Sequence, residues 1–145
     1  MTEIRTEIEI AASSERVWRV LTDFAAYPEW NTVMWLVGGE IRKGARLRVR
    51  IRMPGGLDIT FRPTVCRTEP GRELCWKGRL PARLLEGEHS LTIEPLAHDR
   101  VRFVHREVYS GLLTSVYMWL VAKRIRRAYE KMNSQLKSRA ERIPP

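Results

Sequence analysis

Cysteine is scarce: Cys66 and Cys75 are the only two in 145 residues. Two are too few for a disulfide framework, and they lack zinc-ligand spacing. His89, His98 and His105 are the only histidines and are dispersed, so no metal site is expected. No apolar run reaches the roughly 18 residues that span a bilayer. Met1 to Ile10 alternates charge with Ile and lacks the apolar core of a signal peptide, which predicts a cytoplasmic protein. A P-loop, a dinucleotide fingerprint, a zincin motif and a nucleophile elbow are all missing. No cofactor is expected on that ground.

Glycine and proline are missing from one long stretch. Neither occurs between Gly111 and Pro144, so the sequence predicts one helix from about Ser110 to about Ala140, capped by Ser110. In its second half Ala122, Ile125, Tyr129, Met132 and Leu136 recur at steps of three and four, forming one apolar stripe. Its first half, Leu112 to Val121, is apolar all round. Such a surface must be covered by protein, ligand, partner or lipid. Glu141 to Pro145 reads as a loose tail.

What the chain does have is ordinary globular content, 43% hydrophobic and 30% charged, enough for one domain over residues 1–145. The net charge of +9 raises nucleic acid or an anionic membrane surface as partners. The Arg residues are scattered, with no basic tail and no RNA-binding signature. That argues against nucleic acid and for a solvated basic surface.

Thr2 to Ala11 alternates as a half-buried strand with Ile4, Ile8 and Ile10 inward. Ser13 then caps a helix over Ser14 to Thr22, with Val17, Trp18 and Leu21 facing the core. Asp23 to Asn31 makes a short second helical turn. Strands follow: Val33 to Glu40, then Arg46 to Met53, whose Leu47, Val49, Ile51 and Met53 face one way and four Arg the other. Leu57, Ile59, Phe61 and Val65 continue the dry face, with Ile51 opposite Ile59 and Arg52 opposite Asp58. A four-residue turn, Glu69 to Arg72, sets Val65 opposite Trp76 and Cys66 opposite Cys75 on the wet face. The thiols are expected to be cross-strand neighbours, within reach of a disulfide. Leu74, Trp76 and Leu80 face in, as do His89, Leu91 and Ile93 on Glu86 to Pro95, with Gly87 a candidate bulge. Val101 to Tyr109 presents Val101, Phe103 and His105, with Tyr109 a further candidate for that face.

A strand, two short helices, about six further antiparallel strands in a curved sheet and a long C-terminal helix packed across it make an α+β architecture. At this point the chain resembles the START-like, helix-grip or SRPBCC superfamily, and within it the polyketide cyclase/dehydrase-like branch. The resemblance rests on IEIAASSERVWRVLTDFAAYPEWN from Ile8, GARLRVRI from Gly44, GEHSLTIEPL from Gly87 and FVHREVYSGLL from Phe103. It implies a deep apolar cavity between sheet and C-terminal helix, where members hold lipids, sterols, polyketides, hormones or quinones. The chain departs from the pattern at Thr32, where many relatives carry Pro. No residue set matches the catalytic positions of the true aromatase/cyclases, so none is carried over.

Within that frame Trp30, Trp35, Met53, Phe61, Trp76, His89, Leu91, Phe103, His105, Val116 and Trp119 are the candidate ligand-binding residues. Each has a plainer reading as core. His89 and His105 share an inward face, either orienting a ligand's polar end or bonded to structural neighbours. Glu107 shares the parity of His105. It is a candidate base if burial raises its pKa, or a rim carboxylate paired with Arg. Glu88 and Glu94 face outward, and His98 lies in a turn.

The sequence therefore predicts binding of a hydrophobic small molecule (lipid, polyketide, aromatic or quinone-like). A polyketide cyclase or dehydratase using His105 or Glu107 as general base ranks second. Third comes an interaction protein using the apolar start of the last helix, as a homodimer face or an anionic-membrane contact.

Overall fold

The computed structural model describes residues 2–52 and 56–142. The candidate Met53 lies outside them. In chain order the elements are β1 (Thr2–Ile10), α1 (Ser14–Thr22), a 3-10 turn (Phe24–Glu29), β2 (Met34–Gly38), β3 (Arg48–Arg52), β4 (Asp58–Phe61), β5 (Thr64–Glu69), β6 (Glu73–Arg79), β7 (Glu86–Ala97), β8 (Arg100–Ser110) and α2 (Thr114–Arg142). A five-stranded sheet has the order β1-β8-β7-β6-β5, and a three-stranded one the order β2-β3-β4. A bridge between Arg46 and Thr64, with Leu47 N donating to Pro63 O (2.9 Å) and Val65 N to Ala45 O (2.8 Å), joins the two. The result is the α+β helix-grip architecture, an antiparallel curved sheet gripping a long C-terminal helix.

Seven strands follow the helices rather than about six. The expected strand Leu57 to Val65 is cut at Pro63, which has no N–H to continue a ladder. The β3–β4 pairs Ile51–Ile59 and Arg52–Asp58 form as expected. Leu57 and Ile59 nevertheless stay exposed, because β4 is an edge strand beyond the reach of α2. Leu80 is exposed as well.

The β5–β6 turn holds three residues, since Glu69 pairs with Glu73. Val65 still meets Trp76, because a bulge at Cys66 absorbs the difference. The thiols end 3.0 Å apart, as free cysteines. Cys75 is fully buried on the face expected to be wet, where Glu88 and Arg67 cover it. Gly87 pairs regularly with Tyr109, without a bulge.

Ser13 Oγ accepts from Arg16 N at 3.2 Å and starts α1. Asn31 closes the following turn by accepting from Val33 N (2.8 Å) and Met34 N (2.9 Å). Thr32 explains its own departure from Pro. Its N–H, which Pro would lack, donates to Gln135 Oε1 at 3.1 Å, and Gln135 Nε2 donates back to Thr32 Oγ1 at 2.7 Å.

Helix α2 has 29 residues and is about 43 Å long at 1.5 Å per residue. Ser110 ends β8 instead of capping it; the helix begins at Thr114, whose Oγ1 donates to Gly111 O at 2.9 Å. It continues to Arg142, two residues into the stretch expected to be a tail. Its second half buries Tyr129, Met132, Leu136 and Ala140, all but Tyr129 in the main core with Val17, Leu21, Trp76, Ile93 and Phe103. Its first half meets only a satellite cluster of Ile4, Tyr109 and Met118. No helix among the described residues is long and apolar enough to cross a membrane.

Candidate functional site

Register builds the site. Trp76 pairs with His89, His89 with Glu107, and Glu107 with Ile4, a row across four strands. The next row runs Leu74, Leu91, His105 and Thr6. His89 and His105 are therefore diagonal neighbours on adjacent strands, a separation that long side chains bridge. Their Nε2 atoms lie 2.7 Å apart. Trp76 stacks on His89 at 4.7 Å between centroids, and Tyr129 of α2 stacks on His105 at 4.0 Å.

The proton positions follow from the partners. Thr6 Oγ1 donates to His105 O at 3.4 Å and is left to accept from Asn133 Nδ2 at 2.9 Å. The amide oxygen of Asn133 therefore faces His105 Nδ1, 3.1 Å away, so that nitrogen carries the hydrogen. His105 Nε2 is then an acceptor, and His89 Nε2 donates to it. Burial holds the His105 pKa well below its ordinary value, and the neighbouring His89 adds to this against the Asn133 bond. His105 is neutral and has no free nitrogen.

At the other end His89 Nδ1 lies 3.6 Å from Glu107 Oε1. The same oxygen accepts from Tyr109 OH at 2.5 Å and from Tyr129 OH. Burial acts to raise the Glu107 pKa, but His89 and the two phenols outweigh it and hold the carboxyl below its ordinary value. The expected raised pKa is thus overturned, and so is the rim pairing with Arg. Burial and the carboxylate push the Tyr129 and Tyr109 hydroxyls the other way, far from ionising. Gly87 makes the room: a Cβ there would sit 2.8 Å from Glu107 Oε2.

Chemically, this is a buried carboxylate–imidazole–imidazole chain clamped by an amide. The hydrogen-bonded part runs from His89 through His105 to the Asn133 amide, which cannot relay a proton, while His89 and Glu107 stand at ion-pair distance, 3.6 Å. A polar ligand group would meet Glu107 first, whose side chain is 15% exposed, whereas His105 is sealed.

The other candidates divide. Trp76, Leu91 and Phe103 are fully buried beside the histidines, so side chains fill the place where the resemblance implied an open cavity. Trp30 is buried in the main core and also borders a surface concavity of about 560 Å³ with Glu29, Lys131 and Arg139. Phe61 is half-buried at the edge of the core. Trp35, between the buried Met34 and Leu36, is half-buried at the edge of the core, with the Arg52 guanidinium 5.0 Å from its ring. Val116 and Trp119 lie exposed. With Thr114 and Met118 inward, the 3.6-residue period turns those two outward.

Sequence reasoning missed Thr6 and Asn133, and placed Tyr129 only as core. The signals were there. Thr6 is the one buried polar residue of β1, and Asn133 follows Tyr129 by four on the buried stripe.

A family model described as "Polyketide cyclase / dehydrase and lipid transport" matches residues 1–141. No curated protein matches the chain in sequence. Among solved structures, a START superfamily protein from Mycobacterium smegmatis is 20% identical, with 98% of this chain and 99% of that one covered and a TM-score of 0.70. The Zhui aromatase/cyclase from a Streptomyces species is 16% identical, with 97% and 94% covered and a TM-score of 0.72. The di-domain ARO/CYC BexL of the BE-7585A biosynthetic pathway is 14% identical at a TM-score of 0.76, with 97% of this chain and 47% of that one covered. The chain spans about half the length of that protein. At such identities the likeness is one of fold.

Proposed function

The chain belongs to the polyketide cyclase / dehydrase and lipid transport family, and from that premise we propose that it binds a hydrophobic small molecule between the sheet and the first half of α2. The observation that carries this reading is the Glu107–His89–His105 chain, ionisable groups buried in an apolar interior that a merely structural core has no need of. Glu107, Tyr109 and Tyr129 would read a hydroxyl or carbonyl at the ligand's polar end. Its apolar body would lodge among Ile4, Leu85, Met118, Val121 and Ile125, where the helix is held by the smaller cluster. Because side chains fill this space, entry requires that half of α2 to move outward. Affinity would come mainly from apolar burial, at roughly 25 cal/mol per Å² before the cost of that opening.

Native mass spectrometry of freshly purified protein tests this. The expected result is a bound apolar species released by organic solvent, with occupancy several-fold lower in Glu107→Gln. Bare polypeptide from every expression host, with no uptake of added fatty acids or polyketide aromatics, would overturn it.

A second reading, a cyclase or dehydratase, is supported by the same chain, since a carboxylate-backed imidazole can move a proton. His105 is a poor base there, with both nitrogens engaged, and Glu107 is weakened by its donors. The working group would be His89, once its Nδ1 turns from Glu107, 3.6 Å away, to the substrate. Loss of turnover in His89→Gln at an unchanged melting temperature would favour this reading over simple binding.

A further inference from the structure

The first half of α2 leaves a large apolar surface bare. Leu112 is 80% exposed and Trp119 85%, and Leu113, Val116 and Leu120 are exposed with them. A second segment joins this patch. Leu112 N donates to Arg83 O (3.2 Å) and Leu113 N to Leu84 O (2.8 Å), which brings the 80–85 loop alongside with exposed Leu80. Gly111 allows the close approach, at φ 115° and with a Cβ position 2.8 Å from Leu84 O. Monomeric proteins seldom expose so many large apolar side chains together.

Within the two segments that form the patch the charges have one sign, and Glu86 and Glu130 lie just beyond their ends. Residues 79–85 and 111–129 contain Arg79, Arg83, Lys123, Arg124, Arg126 and Arg127, and no Asp or Glu. At steps of three and four, Lys123 and Arg127 continue the stripe of Val116, Trp119 and Leu120. Among the described residues Arg126 alone of these turns back, donating to Arg5 O at 2.9 Å.

From this juxtaposition we infer that the tip of α2 and the 80–85 loop dock onto an anionic lipid surface. Trp119, Leu112, Leu113 and Leu120 enter the headgroup–acyl boundary, and Arg79, Arg83, Lys123, Arg124 and Arg127 meet the lipid phosphates and carboxylates. A second copy of the chain fits the face poorly. A two-fold contact would set these cations against themselves, with no carboxylate in either segment to pair them. Docking needs no bound ligand, so it stands or falls apart from the function proposed above.

Flotation with vesicles tests it, comparing pure phosphatidylcholine with phosphatidylcholine carrying about 30 mol% phosphatidylserine. The expected result is recovery on the anionic vesicles alone, lost when salt rises from about 0.1 M to about 0.5 M. Trp119→Glu and, separately, Leu120→Glu should each weaken binding at least tenfold. Both side chains are exposed, so the melting temperature should stay at the wild-type value. Reversing Lys123, Arg124 and Arg127 to Glu should cost more, at about fivefold per cation removed. Equal recovery on both vesicles, or none on either, overturns the inference. So does a dimer in sedimentation velocity that Trp119→Glu disperses, which would assign the face to a second copy.

Discussion

At the scale of single residues, the site turns on what each polar atom is bonded to. Asn133 satisfies His105 Nδ1–H where no water reaches. Replacing it with Ala leaves that donor buried and unpaired, so a loss of roughly 1–3 kcal/mol is expected in denaturant melts. Thr6→Ala should cost a similar amount, since it strips the buried Asn133 Nδ2 of its acceptor. Acid should weaken the fold in two stages. In the unfolded chain His105 takes up a proton near its ordinary value of 6.5, whereas in the fold it resists one, so protons favour unfolding. Stability should therefore fall as pH drops below about 6.5, with a slope of up to ~1.4 kcal/mol per pH unit. Glu107 acts in the same direction lower down. Its contribution is complete above its ordinary value of 4.5 and disappears as pH falls through its lower folded value. Melts of His105→Gln across pH should show the upper stage flattened; an unchanged profile would remove His105 as its source. The inward parity of His89, His105 and Glu107 was legible in the alternation of their strands. The direction of the Glu107 shift was not, because it is set by His89 on the neighbouring strand together with tyrosines two and twenty-two positions away in the sequence.

At the scale of elements, strand alternation and helix period carried most of the reading, and boundaries failed where local chemistry intervened. Pro63 splits one expected strand, Cys66 bulges, and α2 starts four residues late, at Thr114. One glycine does work that the sequence concealed. Gly87→Ala should push Glu107 off His89 and its phenols, costing on the order of 1–3 kcal/mol, whereas Gly78→Ala, whose Cβ finds ordinary contacts near 3.8 Å, should be far milder. Thermal melts of the two variants compare them directly. On the outer face, burial, helped by the Cys66 contact, pushes the Cys75 thiol up and keeps it protonated. Iodoacetamide should label Cys66 first and Cys75 only on unfolding, as peptide mapping would show.

At the scale of the whole molecule, two cores of unequal size hold one helix. The second half of α2 buries Tyr129, Met132, Asn133, Leu136 and Ala140; the first buries only Thr114 and Met118. Amide hydrogen exchange should therefore open residues 114–125 well before 129–140. Equal protection along the helix would contradict this asymmetry. The helix itself and its apolar beginning were plain in the sequence. Its uneven anchorage was not, because it depends on which strands lie beneath each turn. The Asn133–His105–Thr6 clasp then acquires a mechanical meaning. It is a fulcrum, and Thr114 sits about 28 Å along the axis from it, at 1.5 Å per residue. A tilt of only about 5° about that point would swing the free end by about 2.5 Å. A rocking small enough to leave the anchored half undisturbed is thus enough to part the far turns from the strands.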